Sequence, residues 1–238
     1  MEELRTITGA ILVGGLGTRL RSIVADRPKV LAPIHRRPFL AYLLDRLSAA
    51  GLRYVVLCTG YKGKEVQAAF GDTYGALRLA YSQELAPLDT GGALRHAQPL
   101  LESDPVLVMN GDSFCDADLA AFWQWHRVRQ SVGTLLLTQV PNAKRYGLVH
   151  VNADGSVSRF AEKVADGPGL ISAGIYLLTQ LLVERIPENR AVSLEREIFP
   201  NWVGHGLFAF RSEGRFLDIG TPEDYSRAEL FFSERTVQ

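Results

Sequence analysis

The apolar run Ala10-Ile11-Leu12-Val13 passes without a spacer into Gly14-Gly15-Leu16-Gly17-Thr18-Arg19-Leu20, and this junction constrains the fold more than any other stretch. Four residues, two of them β-branched, are too few for a buried helix and suit a strand covered on both faces. Glycines directly behind the strand leave backbone N–H groups unshielded by Cβ atoms, so an anion can approach them closely. A strand that feeds such a turn belongs in an α/β sheet, where ligands gather beyond the carboxyl ends of parallel strands. The same glycines also suit a simple tight turn, so the loop alone leaves both readings open.

The rest of the first half repeats the theme. Apolar runs at 54–59, 77–81 and 106–109 alternate with helix-like stretches at 39–50, 64–70 and 90–97. That alternation predicts an α/β fold, a Rossmann-like mixed, mostly parallel sheet flanked by helices. The second half is less regular: 132–140 and 171–177 read as strands, and 147–151 with 157–160 as a hairpin about Asp154-Gly155. A closing helix starts at Thr221-Pro222, where Thr caps and Pro suits the first helical position. No low-complexity linker or internal repeat divides the chain, so residues 1–238 are read as one domain.

Bulk properties exclude several classes. Lys plus Arg number 26 and Asp plus Glu 26, so no global field recruits nucleic acid or a membrane surface, and a phosphate site must be local. No apolar stretch approaches the roughly 20 residues of a membrane helix, and the first residues lack the charged-then-apolar layout of a signal peptide. Cys58 and Cys115 are not closely spaced, and Cys58 lies in a strand-like run, so reduced thiols and a cytoplasmic location are expected. His35, His96, His126, His150 and His205 lack paired metal-ligand spacing. No G-x-S-x-G elbow offers a nucleophile.

Rival phosphate motifs fail at definite positions. A Walker A loop ends in Gly-Lys-Ser/Thr, whereas Gly17 is followed by Thr18-Arg19. A dinucleotide fingerprint needs a glycine where Leu20 stands and an acid where Thr59 closes the second strand. Downstream, Asp26-Arg27-Pro28-Lys29-Val30-Leu31-Ala32-Pro33 carries Lys29 between two stiffening prolines, either against the loop or as a solvated turn residue. Asp112 follows the strand-like 106–109 in Asn110-Gly111-Asp112, and Asp218 follows Phe216-Leu217. Two carboxylates at strand ends beside phosphates suit Mg²⁺, although each also fits a turn or helix cap.

Taken jointly, Gly14-Gly15-Leu16-Gly17-Thr18-Arg19-Leu20, Pro28-Lys29-Val30-Leu31-Ala32-Pro33 and Pro38-Phe39-Leu40 resemble the opening signature of the sugar-1-phosphate nucleotidyltransferases, GGxGTRL, PKxLxP and a P-hydrophobic pair. The resemblance implies a GT-A-like fold and an enzyme that joins a nucleoside triphosphate to a sugar 1-phosphate, releasing pyrophosphate. It makes Arg19, Lys29 and Lys163 the catalytic cations and Asp112 and Asp218 the ligands of Mg²⁺. Leu12, Gly14, Gly15, Gly17, Thr18, Gln83, Thr90, Gly91, Gly92 and Gly111 are implied to hold the nucleotide, with base contacts from Gln83-Glu84 and the 88–94 loop. Gly147, Glu162, Lys163, Ser172 and Gly174 are implied on the sugar-phosphate side. Two positions depart from the family pattern: Asp89 replaces Gly, and Ser172 replaces Asn.

Ile186-Pro187-Glu188-Asn189, Ser193-Leu194-Glu195 and Phe199-Pro200 look most like the D-glycero-α-D-manno-heptose 1-phosphate guanylyltransferases, which implies GTP as the nucleotide. Mannose 1-phosphate with GTP, or UTP or dTTP with another sugar or N-acetylmuramate phosphate, are the neighbouring alternatives. A catalytically silent NDP-sugar sensor is expected to have lost a metal ligand or phosphate cation, and none of the five is missing. A homodimer is a further expectation from the family.

Overall fold

The computed structural model describes residues 2–15, 17–20, 23–24, 26–161 and 166–233. Its first half runs β1 (Thr8–Leu12), β2 (Pro33–Ile34), β3 (Arg37–Pro38), α1 (Phe39–Ala49), β4 (Tyr54–Thr59), α2 (Gly63–Phe70), β5 (Thr73–Tyr74), β6 (Leu77–Gln83), α3 (Asp89–Ala97) and β7 (Val106–Asn110). There follow β8 (Ser113–Cys115), α4 (Leu119–Arg129), β9 (Gly133–Val140), β10 (Leu148–Val151), β11 (Val157–Ala161), β12 (Gly169–Leu178) and α5 (Gln180–Glu184). The chain closes with α6 (Phe199–Asn201), β13 (Leu207–Ser212), β14 (Phe216–Asp218), α7 (Pro222–Ser226) and α8 (Ala228–Ser233).

Among the described residues ten strands form one sheet, ordered β11-β10-β12-β7-β1-β4-β6-β5, with β9 pairing β12 and β13. Its centre, β7-β1-β4-β6, is parallel throughout. The β12 edge of that centre turns antiparallel. Alternate residues feed two cores: Val55, Leu57, Leu107 and Met109 point to one face, Val56, Cys58, Val106 and Val108 to the other. Continuous apolar runs such as Tyr54–Thr59, buried at every position, are what a parallel strand covered by helices on both faces requires. On the first face lie α1, α4 and α8 through Leu43, Phe122 and Phe232; on the second, α3 and α5 through Leu94 and Leu182.

The sequence-read elements reappear with shifts of a residue or two. Strand 132–140 is Gly133–Val140, and the hairpin turns at Gly155, whose φ is +88°. Thr221 caps α7 by accepting from the Asp224 N–H. Several elements were not anticipated, α4 and β13 among them. Helix α4 buries Leu119, Phe122 and His126 at helical spacing, but Trp123 and Trp125 lie on its other sides and blur the apolar stripe. Strand β13 joins the sheet parallel to β9. Cys58 and Cys115 are free and buried. Among the described residues no helix is long and apolar enough to cross a membrane.

Candidate active site

The chain leaves β1 on one side to form β4 and returns on the other as β7, which opens a crevice at the carboxyl ends of β1 and β7. There the Gly111 N–H donates to the Leu12 carbonyl at 2.9 Å. A cleft of about 550 Å³ occupies the crevice, lined by Leu12–Gly15, Gly17, Arg19, Lys29, Glu84, Asp89, Thr90, Asn110–Asp112, Ala191 and Gly220, among others.

At one end the cleft gathers charge. Pro28, extended at φ −57° and ψ 143°, delivers the short helical turn Lys29–Leu31, so the stiff segment holds Lys29 inward. Lys29 Nζ lies 2.8 Å from Asp112 Oδ2, with the lysine side chain only 11% exposed. Strand β14 pairs antiparallel with β8 and sets Asp218 opposite Ser113, while the Ile219 N–H donates to the Asp112 carbonyl at 2.9 Å. The two carboxylates are therefore neighbours through backbone pairing of segments about a hundred residues apart. Burial, and next the Asp112 charge, push the Asp218 carboxyl above its ordinary range; Lys29 and the Gly220 N–H pull it back. Two carboxylates brought this close suit a hard divalent cation. No group of three or more His, Cys, Asp or Glu gathers among the described residues, so a cation held here would complete its shell with ligand oxygens and water. Arg145 ties the sugar-side turn to this segment, reaching Asp224 at 2.5 Å and Thr221 Oγ1 at 3.2 Å.

The other end holds a buried acid. Glu84 is 9% exposed, and burial raises its carboxyl, with the Leu88 N–H opposing. Its Oε2 accepts that N–H at 3.1 Å. Its Oε1 lies against Gly14 and Gly60, where a Cβ would come within 2.8 and 2.6 Å. Gly14 therefore makes room for an acid. Gln83, the residue singled out in sequence, is exposed and does not line the cleft; its neighbour Glu84 does.

Gly91 and Gly92 also take a task the sequence did not reveal. Both donate their N–H groups to the Val192 carbonyl, at 2.8 and 3.2 Å, while the Val192 N–H donates to Leu88 at 3.0 Å. The Leu194 N–H donates to Thr90 Oγ1 at 2.9 Å. A strap at 190–194 is thus bound across the start of α3, and only Asp89, Thr90 and Ala93 of that helix face the cleft. Gly91 and Gly92, expected on the nucleotide side, thus have their N–H groups occupied by protein.

On the sugar side, β12 carries an irregularity between Ser172 and Ile175, a device that re-aims side chains beside sites. Gly174 packs there against Asn110 and Ser113, and its N–H donates to Ser172 Oγ at 3.1 Å. Ser172 donates to Tyr176, whose hydroxyl donates to Glu195 Oε1 at 2.6 Å. Asn110 Oδ1 is buried with no hydrogen-bond partner among the described residues, an acceptor open to a donor from outside the chain. Gly147, Ser172, Gly174 and Asp218 do not themselves line the cleft. Thr18 begins the short turn Thr18–Leu20. Glu162 and Lys163 lie outside the described residues.

This construction, a nucleotide-sized crevice at the strand-order reversal with paired acids and an inward lysine, belongs to a known class. The chain is a member of the nucleotidyl transferase family, whose pattern matches residues 8–235. It is 36% identical over 220 residues to the D-glycero-alpha-D-manno-heptose 1-phosphate guanylyltransferase of Aneurinibacillus thermoaerophilus, covering 92% of this chain and 95% of that one. It is 38% identical over 226 residues to the mannose-1-phosphate guanylyltransferase of Mycobacterium tuberculosis, covering 93% of this chain but only 63% of the relative. The crystal structure of HddC from Yersinia pseudotuberculosis superposes with a TM-score of 0.85 at 32% identity, over 95% of this chain and 99% of that one. Its complex with GMP-PN superposes at 0.83.

Proposed function

We propose that the chain, acting as one domain, transfers GMP from GTP to D-glycero-α-D-manno-heptose 1-phosphate, giving GDP-heptose and pyrophosphate. The observation that carries the base assignment is the buried carboxylate of Glu84 in the cleft wall. Of the common bases only guanine offers two adjacent N–H donors on its pairing edge, and a carboxylate accepts two such donors side by side. The guanylyltransferase relatives and the GMP-PN complex of HddC support the same base. Heptose is preferred because relatives with that activity match over nearly their full length. Mannose 1-phosphate is the second reading, supported by the mycobacterial relative; the two sugars share the manno configuration. The free, buried cysteines fit a cytoplasmic location.

The anomeric phosphate attacks the α-phosphorus in line. It needs no side-chain base, because a phosphate monoester with a second pKa of about 6 is largely ionised at neutral pH. Catalysis then consists of holding two anions together and stabilising the charge that develops between them. Arg19 and Lys29 line the cleft and supply positive charge. Lys29 starts from its pair with Asp112, which keeps it positioned. Asp112 and Asp218 would hold Mg²⁺, which supplies charge to the triphosphate and the leaving pyrophosphate. Lys163 would meet the sugar phosphate.

Pyrophosphate release from GTP, ATP, UTP and dTTP, each with heptose 1-phosphate and mannose 1-phosphate, tests the proposal. GTP with heptose 1-phosphate should be fastest; a preference for UTP or dTTP overturns the base assignment. Glu84→Gln should lower kcat/KM for GTP about 100-fold through the lost charged acceptor. Asp112→Asn and Asp218→Asn should keep the wild-type circular dichroism and lower turnover by about two orders of magnitude or more. Wild-type turnover in either at saturating Mg²⁺ would remove that residue from the metal site.

A further inference from the structure

Asp89 is held at φ +57°, in the left-handed region that costs a residue with a Cβ. Both its carboxylate oxygens are engaged. Oδ1 accepts the Thr90 N–H at 2.7 Å, and Oδ2 meets Arg196 Nη2 at 2.6 Å. Arg196 stands on the π-helical turn Leu194–Ile198, more than a hundred residues away in sequence. We infer that Arg196 is a positioning residue for the nucleoside triphosphate, acting through Asp89 to fix the loop that carries Glu84. This rests on the function proposed above and adds a residue to it.

An ion pair this exposed, with the arginine side chain 76% and the aspartate 34% accessible, ordinarily contributes little, because two long side chains lose entropy to meet in water. Here the arginine stands on an anchored turn. Leu194, Ile198 and Phe199 are buried; Tyr176 grips Glu195 from the core; and the turn closes on itself through Ser193 N–H to Glu197 Oε1 at 3.0 Å and Arg196 N–H to Ser193 Oγ at 3.3 Å. π-Helical turns are uncommon and concentrate at functional sites.

The connection to the base-reading acid is short. Arg196 holds Asp89; Asp89 follows Leu88; Leu88 gives its N–H to Glu84 and takes the Val192 N–H on its carbonyl. Burial is the main cause of the raised Glu84 carboxyl and the Asp89 charge adds to it; Arg196 pairs with that charge. Asp89, Thr90 and Glu84 all line the cleft, while Arg196 does not, which separates the residue that positions from those that meet the ligand.

Steady-state kinetics of Arg196→Ala, Arg196→Lys, Asp89→Gly and the Asp89→Gly/Arg196→Ala double variant test this, with KM measured separately for nucleotide and sugar 1-phosphate. Arg196→Ala and Asp89→Gly should each raise the nucleotide KM about tenfold, with kcat and the sugar KM within about twofold and the GTP-to-UTP preference reduced. The double variant should be no worse than either single one, because the two residues act as one unit, and Arg196→Lys should recover part of the loss. Additive effects, equal rises in both KM values, or unchanged kinetics with only a lower thermal midpoint would overturn the inference. Wild type without a GTP preference would instead refute the guanine reading, and the nucleotide it does prefer would then serve for the same comparison.

Discussion

Two glycine-rich segments look alike in sequence and do different work in the structure. In the loop at 14–17, Gly15 faces the cleft, and a Cβ placed on it would find nothing within 4 Å. At the start of α3, Gly91 and Gly92 are buried, and a Cβ on Gly92 would run into the Arg190 carbonyl and come within 2.9 Å of Leu88 Cβ. One glycine opens onto the cleft. The other is small because the strap packs on it. A glycine in a phosphate-binding pattern is therefore not evidence of contact until the space around it is known.

Gly92→Ala probes the packed member of the pair and should have the largest effect. A backbone carbonyl cannot step aside as a side-chain tip can, so the strap or the helix start must shift, at about 1–3 kcal/mol. For a chain of this size that lowers the thermal midpoint by roughly 2–12 °C, measurable by scanning calorimetry. A midpoint equal to wild type would mean that the strap is not packed as described.

Gly15→Ala probes the open member. Its backbone is not in the left-handed region and its surroundings are empty, so the thermal midpoint should stay within about 1 °C of wild type. The added methyl stands where a triphosphate must approach, and one displaced charge-assisted hydrogen bond raises the nucleotide KM about tenfold or more. A stability loss with unchanged KM would reverse the comparison.

The contrast also explains what could be read from sequence. The parallel centre was legible because β4 is buried at every position and β7 at all but its last, and a doubly covered strand leaves an apolar run as its mark. Lys29, Asp112 and Asp218 were legible as candidates because each follows a strand or a stiff turn, and as members of one site only through the family resemblance. The meeting of the two acids was expected from the resemblance, but the pairing of β14 with β8 that brings it about is encoded in no local pattern. The strap was invisible for the same reason: its backbone hydrogen bonds with Leu88 and Gly91, and its N–H bond to the Thr90 hydroxyl, span about a hundred residues. Gln83 and Glu84 were read together, and only Glu84 lines the cleft, because period-two reasoning does not say which of two polar residues at a strand end turns inward when the strand stops pairing.

The smallest stability effect, that of Glu84 in the ligand-free chain, gives the finest division between the two segments, because Gly14 of the first loop leaves room for its Oε1 while Leu88, beside the second, binds its Oε2. Burial raises its carboxyl above the ordinary value of about 4.3. Its neutral form therefore favours the folded state. That contribution is fully present below the ordinary carboxylate range and is lost as pH rises through the raised value. Glu84→Gln carries no proton to lose, so its stability profile should lack that slope, and at pH 7 the ligand-free variant should be slightly more stable than wild type. Nucleotide binding has the opposite sign: accepting two guanine donors needs the ionised acid, so the wild-type KM for GTP should rise as pH falls through the same window. Subtracting the variant's profile removes Asp218, whose carboxyl is also raised. Stability and KM should then show one shared midpoint. Separate midpoints would mean that the acid governing GTP binding is not the one lodged between Gly14 and Gly60.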